Sequence, residues 1–188
     1  LPITRDEALA LVKERNKDQA NLNHFLETEA VMRELAKKLG ANADEWGIIG
    51  LLHDLDWEET QDNPKKHTLK TCEVLAAKDF PEDALYTIKS HNNEYLEEDF
   101  PPKTKRDFAL RCGETITGLI YAVTLVRPSK RVGDVKVKSV KKKFKDKSFA
   151  ANCRREIISE CEKLGLTLDE FIELALAGFR EIADDIGL

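Results

Sequence analysis

The chain has 188 residues, of which 41% are hydrophobic and 35% charged, and its formal net charge is −5. This composition excludes a disordered chain, and the length suits one domain with a core of its own. The negative net charge disfavours general binding to nucleic acid. The longest uncharged apolar runs, residues 46–53 and 119–126, fall far short of the about 20 residues that a membrane span needs, so we expect no membrane-spanning segment.

Helical periodicity and capping residues dominate the chain, and strand alternation is nearly absent. A capping box at Thr4 and Glu7 predicts a first helix that ends near residue 17, and Gly40 predicts the end of the second. The pattern predicts further helices over residues 23–39, 44–54, 65–78, 81–91 and 104–126, with loops at residues 56–64 and 94–102. The sequence therefore predicts an all-α protein that forms a single domain over residues 1–188.

A basic segment follows the long helix. Residues 127–147 contain ten Lys or Arg and only two acidic residues, a net charge of +8, which leaves −13 for the rest of the chain. The segment is either a solvated surface or a rim that recruits phosphate, and Arg127 and Lys130 best suit the rim because they directly follow the long helix. Few aromatic side chains lie among the lysines, so nucleic-acid binding is disfavoured. Two helices, at residues 148–164 and 168–186, end the chain.

The spacing of the cysteines indicates the kind of cellular compartment in which the protein folds. The four cysteines are widely separated and form no C-x-x-C pair, which disfavours a zinc ribbon and a thioredoxin-like site. We interpret them as buried thiols in a reducing environment. The first residues, LPITRDEALA, are already polar and contain no secretory signal, so we expect a cytoplasmic protein.

Histidines and isolated carboxylates mark the candidate site. The chain has only four histidines, and each falls on a helical position that it shares with apolar residues: His24, His53, His67 and His91. Asp54 is the only charged residue in positions 46–55, and Glu114 is the only one in positions 112–126. A carboxylate in an apolar helix is costly unless it is paired or bound to a metal. Imidazoles with carboxylates are ligands for divalent transition metals, although hydrogen-bonded core histidines and an Arg111–Glu114 ion pair are the structural alternatives.

Two glycines lie beside Glu114 in the predicted helix. Gly113 and Gly118 each cost about 1 kcal/mol relative to alanine in a helix interior. We therefore expect another helix or a ligand to approach this face closely.

The order of these residues resembles the HD superfamily of metal-dependent phosphohydrolases, in particular its HDIG-type members. The resemblance rests on GLLHDLD after the run DEW, on KHTL, on IKSHN and on TGLIYAVTLVRPSK, and it covers about residues 22–145. It implies a helical HD-type core over this range, followed by a C-terminal helical extension at about residues 146–188. The Gly-Tyr-Pro signature of relatives that degrade cyclic di-GMP is absent, which disfavours that substrate.

The resemblance also implies a ligand set for one or two divalent ions, with Mn, Fe, Ni, Co, Zn or Mg as candidates. His24, His53, Asp54 and Glu114 would bind the first ion. His67 and His91 would bind the second, with Asp54 as the bridge. The family usually has Asp at the last position, where this chain has Glu114, which offers the same donor atoms on a longer arm.

We therefore expect an enzyme that hydrolyses a phosphoester, most simply a nucleotide or a small organic phosphate, with a metal-activated water. Asp54, Asp56 and Lys70 are the catalytic candidates: Asp56 to orient a histidine or accept a proton, and Lys70 to meet a phosphate together with Arg127 and Lys130. Ordinary surface charge is the alternative for Asp56 and Lys70. Two other functions remain open, an HD-type di-iron oxygenase and a non-catalytic domain that binds a metal or a nucleotide. The sequence does not predict the oligomeric state.

Overall fold

The computed structural model describes residues 1–188, which form helices and no strands, so the predicted all-α fold is confirmed. The α-helices are α1 (Arg5–Arg15), α2 (Gln19–Leu39), α3 (Ala43–Leu52), α4 (Trp57–Thr60), α5 (Leu69–Ala76), α6 (Glu82–His91), α7 (Lys105–Leu125), α8 (Val137–Lys145), α9 (Arg155–Ile158), α10 (Leu168–Glu181) and α11 (Ala183–Ile186). Short 3-10 helices occupy Val132–Asp134 and Ser159–Leu164. None of the helices is both long enough and apolar enough to cross a bilayer.

Local sequence explains several helix ends. Thr4, Thr104 and Thr167 each form a capping box with the acidic residue three positions later, which satisfies two backbone N–H groups at the start of α1, α7 and α10. Gly40 ends α2 in the left-handed conformation, with φ of 70°, which glycine adopts without steric cost. These boundaries were readable from the sequence because the interactions that make them are local.

The two longest helices, α2 and α7, form the centre of the fold. Helix α2 packs against α3, α7 and α10, and one apolar core contains residues from both ends of the chain, including Ala8 and Ile186. Close packing depends on small residues. A Cβ atom at Gly178 of α10 would lie 2.8 Å from the backbone of Ala30 in α2, so only glycine permits this approach.

The connection between α1 and α2 is tied to the chain that follows α3. Asn16 donates its side-chain amide to the Leu55 carbonyl at 3.1 Å. One Glu58 carboxylate oxygen accepts the backbone N–H groups of Lys17 and Asp18, both at 2.8 Å. These contacts hold the first turns of α2 next to the residues at the end of α3.

Several predicted boundaries were wrong. The helix predicted from residue 65 begins at Leu69, because Thr68 has a φ of 71° and interrupts the helical path. The helix predicted over residues 148–164 is replaced by turns, the short helix α9 and a 3-10 helix. The last helix is broken at Ile182, and the predicted acidic loop after residue 56 contains α4. The basic segment is partly regular, since it includes the 3-10 helix Val132–Asp134 and α8.

Candidate metal centre

Four separate elements bring the histidines together. His24 lies in the second turn of α2, and His53 is the residue that follows α3. His67 lies in the turn before α5, and His91 is the last residue of α6. Asp54 lies between them. The Nε2 atoms of His53, His67 and His91 are 3.3, 3.1 and 3.1 Å from Asp54 Oδ1, and His24 Nε2 is 3.8 Å from Asp54 Oδ2.

Backbone carbonyls determine the tautomer of two of the histidines. His53 Nδ1 is 2.7 Å from the Gly50 carbonyl oxygen, and His91 Nδ1 is 2.7 Å from the Ile88 carbonyl oxygen. A carbonyl oxygen can only accept, so each Nδ1 carries the proton and donates it. Each Nε2 is then left with a lone pair that faces Asp54.

Side chains, and not backbone carbonyls, determine the tautomers of His24 and His67. His67 Nδ1 donates to Asp56 Oδ1 at 2.8 Å. His24 Nδ1 is 3.0 Å from the Thr117 hydroxyl, which itself donates to the Glu114 carbonyl at 2.6 Å and therefore accepts from His24. In their neutral forms, all four histidines thus present an Nε2 lone pair to the same carboxylate.

This arrangement fits a divalent cation. His53 Nε2 and Asp54 Oδ1 are buried and have no hydrogen-bond partner, although three imidazoles surround that oxygen. Two ligands about 2.1 Å from a shared ion, at angles between 90° and 109°, lie about 3.0–3.4 Å apart, which is the spacing found here. Lone pairs that face a carboxylate oxygen at this distance repel each other unless a cation lies nearby.

Glu114 of α7 joins the same cluster. Its carboxylate and the ring nitrogens of His24 and His53 lie within 4.8 Å of one another, and a second group of this kind consists of His53, Asp54 and His91. The alternative ion pair with Arg111 is not formed, because Arg111 pairs with Glu94 and Glu160. His24, His53, Asp54, His91 and Glu114 are therefore gathered at one place that could hold a metal, with His67 beside Asp54.

Charge within the cluster is uneven. Burial lowers the pKa of His53 to about 3, so this imidazole is neutral at pH 7. Although burial opposes it, the carboxylates of Asp54 and Asp56 raise the pKa of His67 to about 10. Burial raises the pKa of Glu114 to about 7. Without a metal ion, a proton on His67 supplies the positive charge that these carboxylates require.

Comparison with known proteins agrees with this geometry. The family model of the HD domain matches residues 21–120, more than half of the chain. The chain belongs to the HD domain family. The match includes His24, His53, Asp54, His67, His91 and Glu114, whereas the predicted boundary of the HD core near residue 145 stays a prediction.

Curated relatives of the HD domain include Ribonuclease Y from Thermotoga petrophila and from Thermotoga maritima. Each is 29% identical to this chain in an alignment 161 positions long, which covers 79% of this chain and 29% of the relative. The chain therefore spans less than a third of the length of these relatives.

Asp56, two residues after the HD-motif aspartate, lies behind His67 and not at the cavity. It is 1% exposed, and both of its oxygens are occupied. Oδ1 accepts from His67, and Oδ2 accepts from the backbone N–H of Thr71 at 3.0 Å, in the first turn of α5. Although burial opposes it, these bonds lower the pKa of Asp56. Asp56 is thus a positioning residue that orients His67 and caps α5.

Three charged residues singled out in the sequence are not brought to the HD site. Lys70 is exposed and pairs with Glu73 at 3.2 Å, on the surface of α5, because the left-handed Thr68 separates it from the path of His67. Arg127 and Lys130 follow the end of α7. That end, Leu125, lies about 16 Å along the helix axis from Glu114. The rim predicted for Arg127 and Lys130 is therefore remote from the ligands.

Five of the six candidate ligands, all except the fully buried His53, line a cavity of about 460 Å³. Its walls contain side chains that sequence reasoning missed, namely Asn21, Phe25, Asn92, Glu94, Thr115, Asn152, Arg154 and Ile157. Asn92 was adjacent to a predicted ligand and could have been suspected. Asn152 and Arg154 come from a part of the chain that gave no local signal, since it was predicted to be a plain helix.

Proposed function

We propose that this chain is a metal-dependent phosphohydrolase of the HD type that acts on a small phosphorylated molecule, most simply a nucleotide. One observation carries the proposal: the Nε2 atoms of four histidines converge on the Asp54 carboxylate beside a cavity, and His53 Nε2 and Asp54 Oδ1 are buried without a hydrogen-bond partner. The cavity volume of about 460 Å³ lies in the usual range for small-molecule sites.

The ligand geometry favours two ion positions. His24, His53 and Glu114 would hold one ion, and His67 with His91 would hold the other, with Asp54 shared between them. A bound divalent ion supplies positive charge that lowers the pKa of water and offsets the charge of a phosphoryl group.

The chain's own groups have distinct tasks. Gly50, Ile88, Thr117 and Asp56 keep the proton of each histidine on Nδ1, so that Nε2 stays available as a ligand. Phe25, Trp57 and Ile157 line the cavity with apolar surface, which excludes water and strengthens the electrostatic interactions inside it. Asp54 neutralises part of the cationic charge at the centre.

RNA is a second candidate substrate. The Thermotoga relatives are named Ribonuclease Y, and the basic segment at residues 127–147 carries a net charge of +8. This segment contributes no side chain to the cavity, so the geometry favours the small phosphoester.

The four cysteines are free thiols, which supports the proposal of a cytoplasmic protein.

A metal-resolved substrate screen tests the proposal. Protein freed of metal is reloaded with Mn²⁺, Ni²⁺, Co²⁺, Zn²⁺, Mg²⁺ or Fe²⁺ and given nucleoside monophosphates, p-nitrophenyl phosphate and a short RNA. We expect release of inorganic phosphate that is lost in His53→Ala and kept in the surface control Lys70→Ala. Oxygen uptake by the iron form would support the di-iron oxygenase instead. Tight metal binding without turnover of any substrate would support a binding domain.

A further inference from the structure

Arg154 is the only lysine or arginine that lines the cavity above the metal ligands. It lies outside residues 21–120, the range that matches the HD domain. It follows residues 146–153, a segment of turns between α8 and α9 that we term the arginine loop. A cation at this place needs an explanation, because no helix carries it there.

The arginine loop is organised by the neighbouring residue, Arg155. Its guanidinium donates hydrogen bonds to backbone carbonyl oxygens on both sides of the loop. The acceptors are Ala150 at 2.9 Å, Cys153 at 2.5 Å, Phe144 at 3.2 Å, Asp146 at 3.3 Å, Lys143 at 3.4 Å and Phe149. One side chain thus satisfies carbonyl groups that a helix would otherwise pair with N–H groups. Only the planar, five-donor guanidinium can do this, since an ammonium has three donors.

Helix α7 has a matching recess for this loop. Gly118 lies one helical turn beyond Glu114 and so on the same face of α7. A Cβ atom at Gly118 would lie 2.9 Å from Cys153 Sγ, so the glycine lets the loop lie directly on the helix. The close approach expected from the sequence at Gly118 is thus made by a loop, and Arg154 follows that loop on the wall of the cavity that the candidate ligands also line.

The charge of Arg154 is only partly neutralised. Its Nε donates to Glu156 at 2.9 Å, and its Nη1 is 3.7 Å from Glu94. Glu94 is itself held by Arg111, which is 3% exposed and pairs with it at 2.5 Å. Because Glu94 has a closer cation and Glu156 is two-thirds exposed, Arg154 can exchange these contacts for an anionic ligand in the cavity.

We propose that Arg154 binds a phosphate group of the substrate and that Arg155 positions it by holding the arginine loop on α7. This inference rests on the proposed function and adds a specificity-determining residue from outside the matched HD range. An arginine fork fits two phosphate oxygens at once, and no other lysine or arginine lines the cavity.

Binding of inorganic phosphate tests the inference without any turnover. Calorimetric titration at low salt compares wild type with Arg154→Gln, Arg154→Lys and the exposed control Arg131→Gln, in the metal-free and the Mn²⁺-loaded protein. We expect Arg154→Gln to weaken phosphate binding roughly tenfold to a hundredfold, Arg154→Lys to restore part of it, and Arg131→Gln to change nothing. Equal binding by wild type and Arg154→Gln, or no binding by wild type, would overturn the inference.

A double-mutant comparison separates positioning from direct contact. Arg155→Lys keeps the charge but loses donors to the carbonyls, so we expect it to weaken phosphate binding. Arg154→Gln with Arg155→Lys should then bind no more weakly than Arg154→Gln alone, because Arg155 acts through Arg154. Additive losses would contradict the positioning role.

Kinetics distinguish this inference from the proposed function. With p-nitrophenyl phosphate and Mn²⁺, we expect Arg154→Gln to raise KM more than it lowers kcat. If wild type hydrolyses no substrate but Arg154 still governs phosphate binding, the proposed function fails and the binding site stands. If hydrolysis occurs and Arg154→Gln leaves both KM and phosphate binding unchanged, the site fails and the function stands.

Discussion

The four histidines are anchored in two different ways. His53 and His91 each donate Nδ1–H to a backbone carbonyl three residues earlier, at or next to the end of a helix. His24 and His67 donate instead to side chains from distant parts of the chain, Thr117 and Asp56. The first pair is held by its own helix, whereas the second pair is held by the tertiary structure.

This difference has consequences for substitution and for pH. A backbone carbonyl cannot be removed by mutation, so His53 and His91 keep their orientation whenever their helices form. The anchors of His24 and His67 can each be removed by one substitution. Asp56 is also charged, and with Asp54 it makes His67 strongly basic while His53 stays neutral. Histidines held by backbone carbonyls should therefore tolerate substitution of their neighbours better than histidines held by side chains. The two kinds of anchor also predict different proton affinities.

Replacement of the shared carboxylate should have the largest effect, because it serves histidines of both kinds. Asp54→Asn keeps the shape but removes the charge that faces all four imidazoles. We expect metal affinity to fall by more than about a hundredfold, beyond the loss usual for groups behind the ligands, with the helical fold retained. Metal content measured by elemental analysis and far-ultraviolet circular dichroism check this. Asp62→Asn, at an exposed position, is the matched control.

The pH dependence of metal binding should separate the two kinds of histidine. An ion bound by His67 must displace the proton held by its pKa of about 10, so its affinity should rise about tenfold per pH unit between pH 7 and 9. His53 has a pKa of about 3 and Glu114 one of about 7, so affinity at their position should level off above pH 7. Titration with Mn²⁺ at several pH values measures how the affinity of each ion position changes with pH. The same pH dependence at both positions would contradict the assignment of His67 and His53 to different ions.

The same protonation predicts how the metal-free protein responds to pH. The folded pKa of His67 lies above its ordinary value of 6.5, so protonation of His67 stabilises the folded state. This contribution is complete below pH 6.5 and is lost as pH rises through about 10. Denaturant unfolding of metal-free protein should therefore show declining stability over that interval, and His67→Gln should remove the decline.

Loss of the charged anchor should weaken one ion selectively. Asp56→Asn removes the carboxylate that orients His67 and caps α5, and we expect a tenfold to hundredfold loss of affinity for the ion that His67 would hold. The pKa of His67 should fall in this variant, which nuclear magnetic resonance titration of the imidazole measures. An unchanged His67 titration would show that Asp54 alone sets its proton affinity.

Loss of the neutral anchor should have the smallest effect. Thr117→Val removes the hydroxyl that accepts from His24 Nδ1, but the His24 side chain is 29% exposed and water can replace that acceptor. We expect a loss of metal affinity of about tenfold or less, with recovery in Thr117→Ser. A loss of metal affinity as large as that of Asp56→Asn would show that charged and neutral anchors contribute equally.

Local chemistry explains which predictions succeeded. The capping boxes at Thr4, Thr104 and Thr167 and the left-handed Gly40 are made by neighbouring residues, so the sequence predicted these helix boundaries closely. The helix predicted from residue 65 was displaced because Thr68 adopts an unfavourable backbone conformation for a β-branched residue. Asn92, the residue after α6, stabilises that turn by donating its side-chain amide to the carbonyls of Pro64 and His67. No local pattern encodes such a contact.

The sequence by itself determined the all-α class and the residue types that could bind a metal, because periodicity, caps and isolated histidines and carboxylates are properties of short stretches. Only the tertiary structure decided which charges reach the cavity. Lys70 does not reach the cavity because of the left-handed turn at Thr68, and Arg127 and Lys130 do not reach it because of the length of α7. Arg154 is included because Arg155 binds carbonyl groups across the arginine loop and Gly118 leaves space for it on α7. These interactions join residues far apart in the chain, so their outcome depends on how the helices pack.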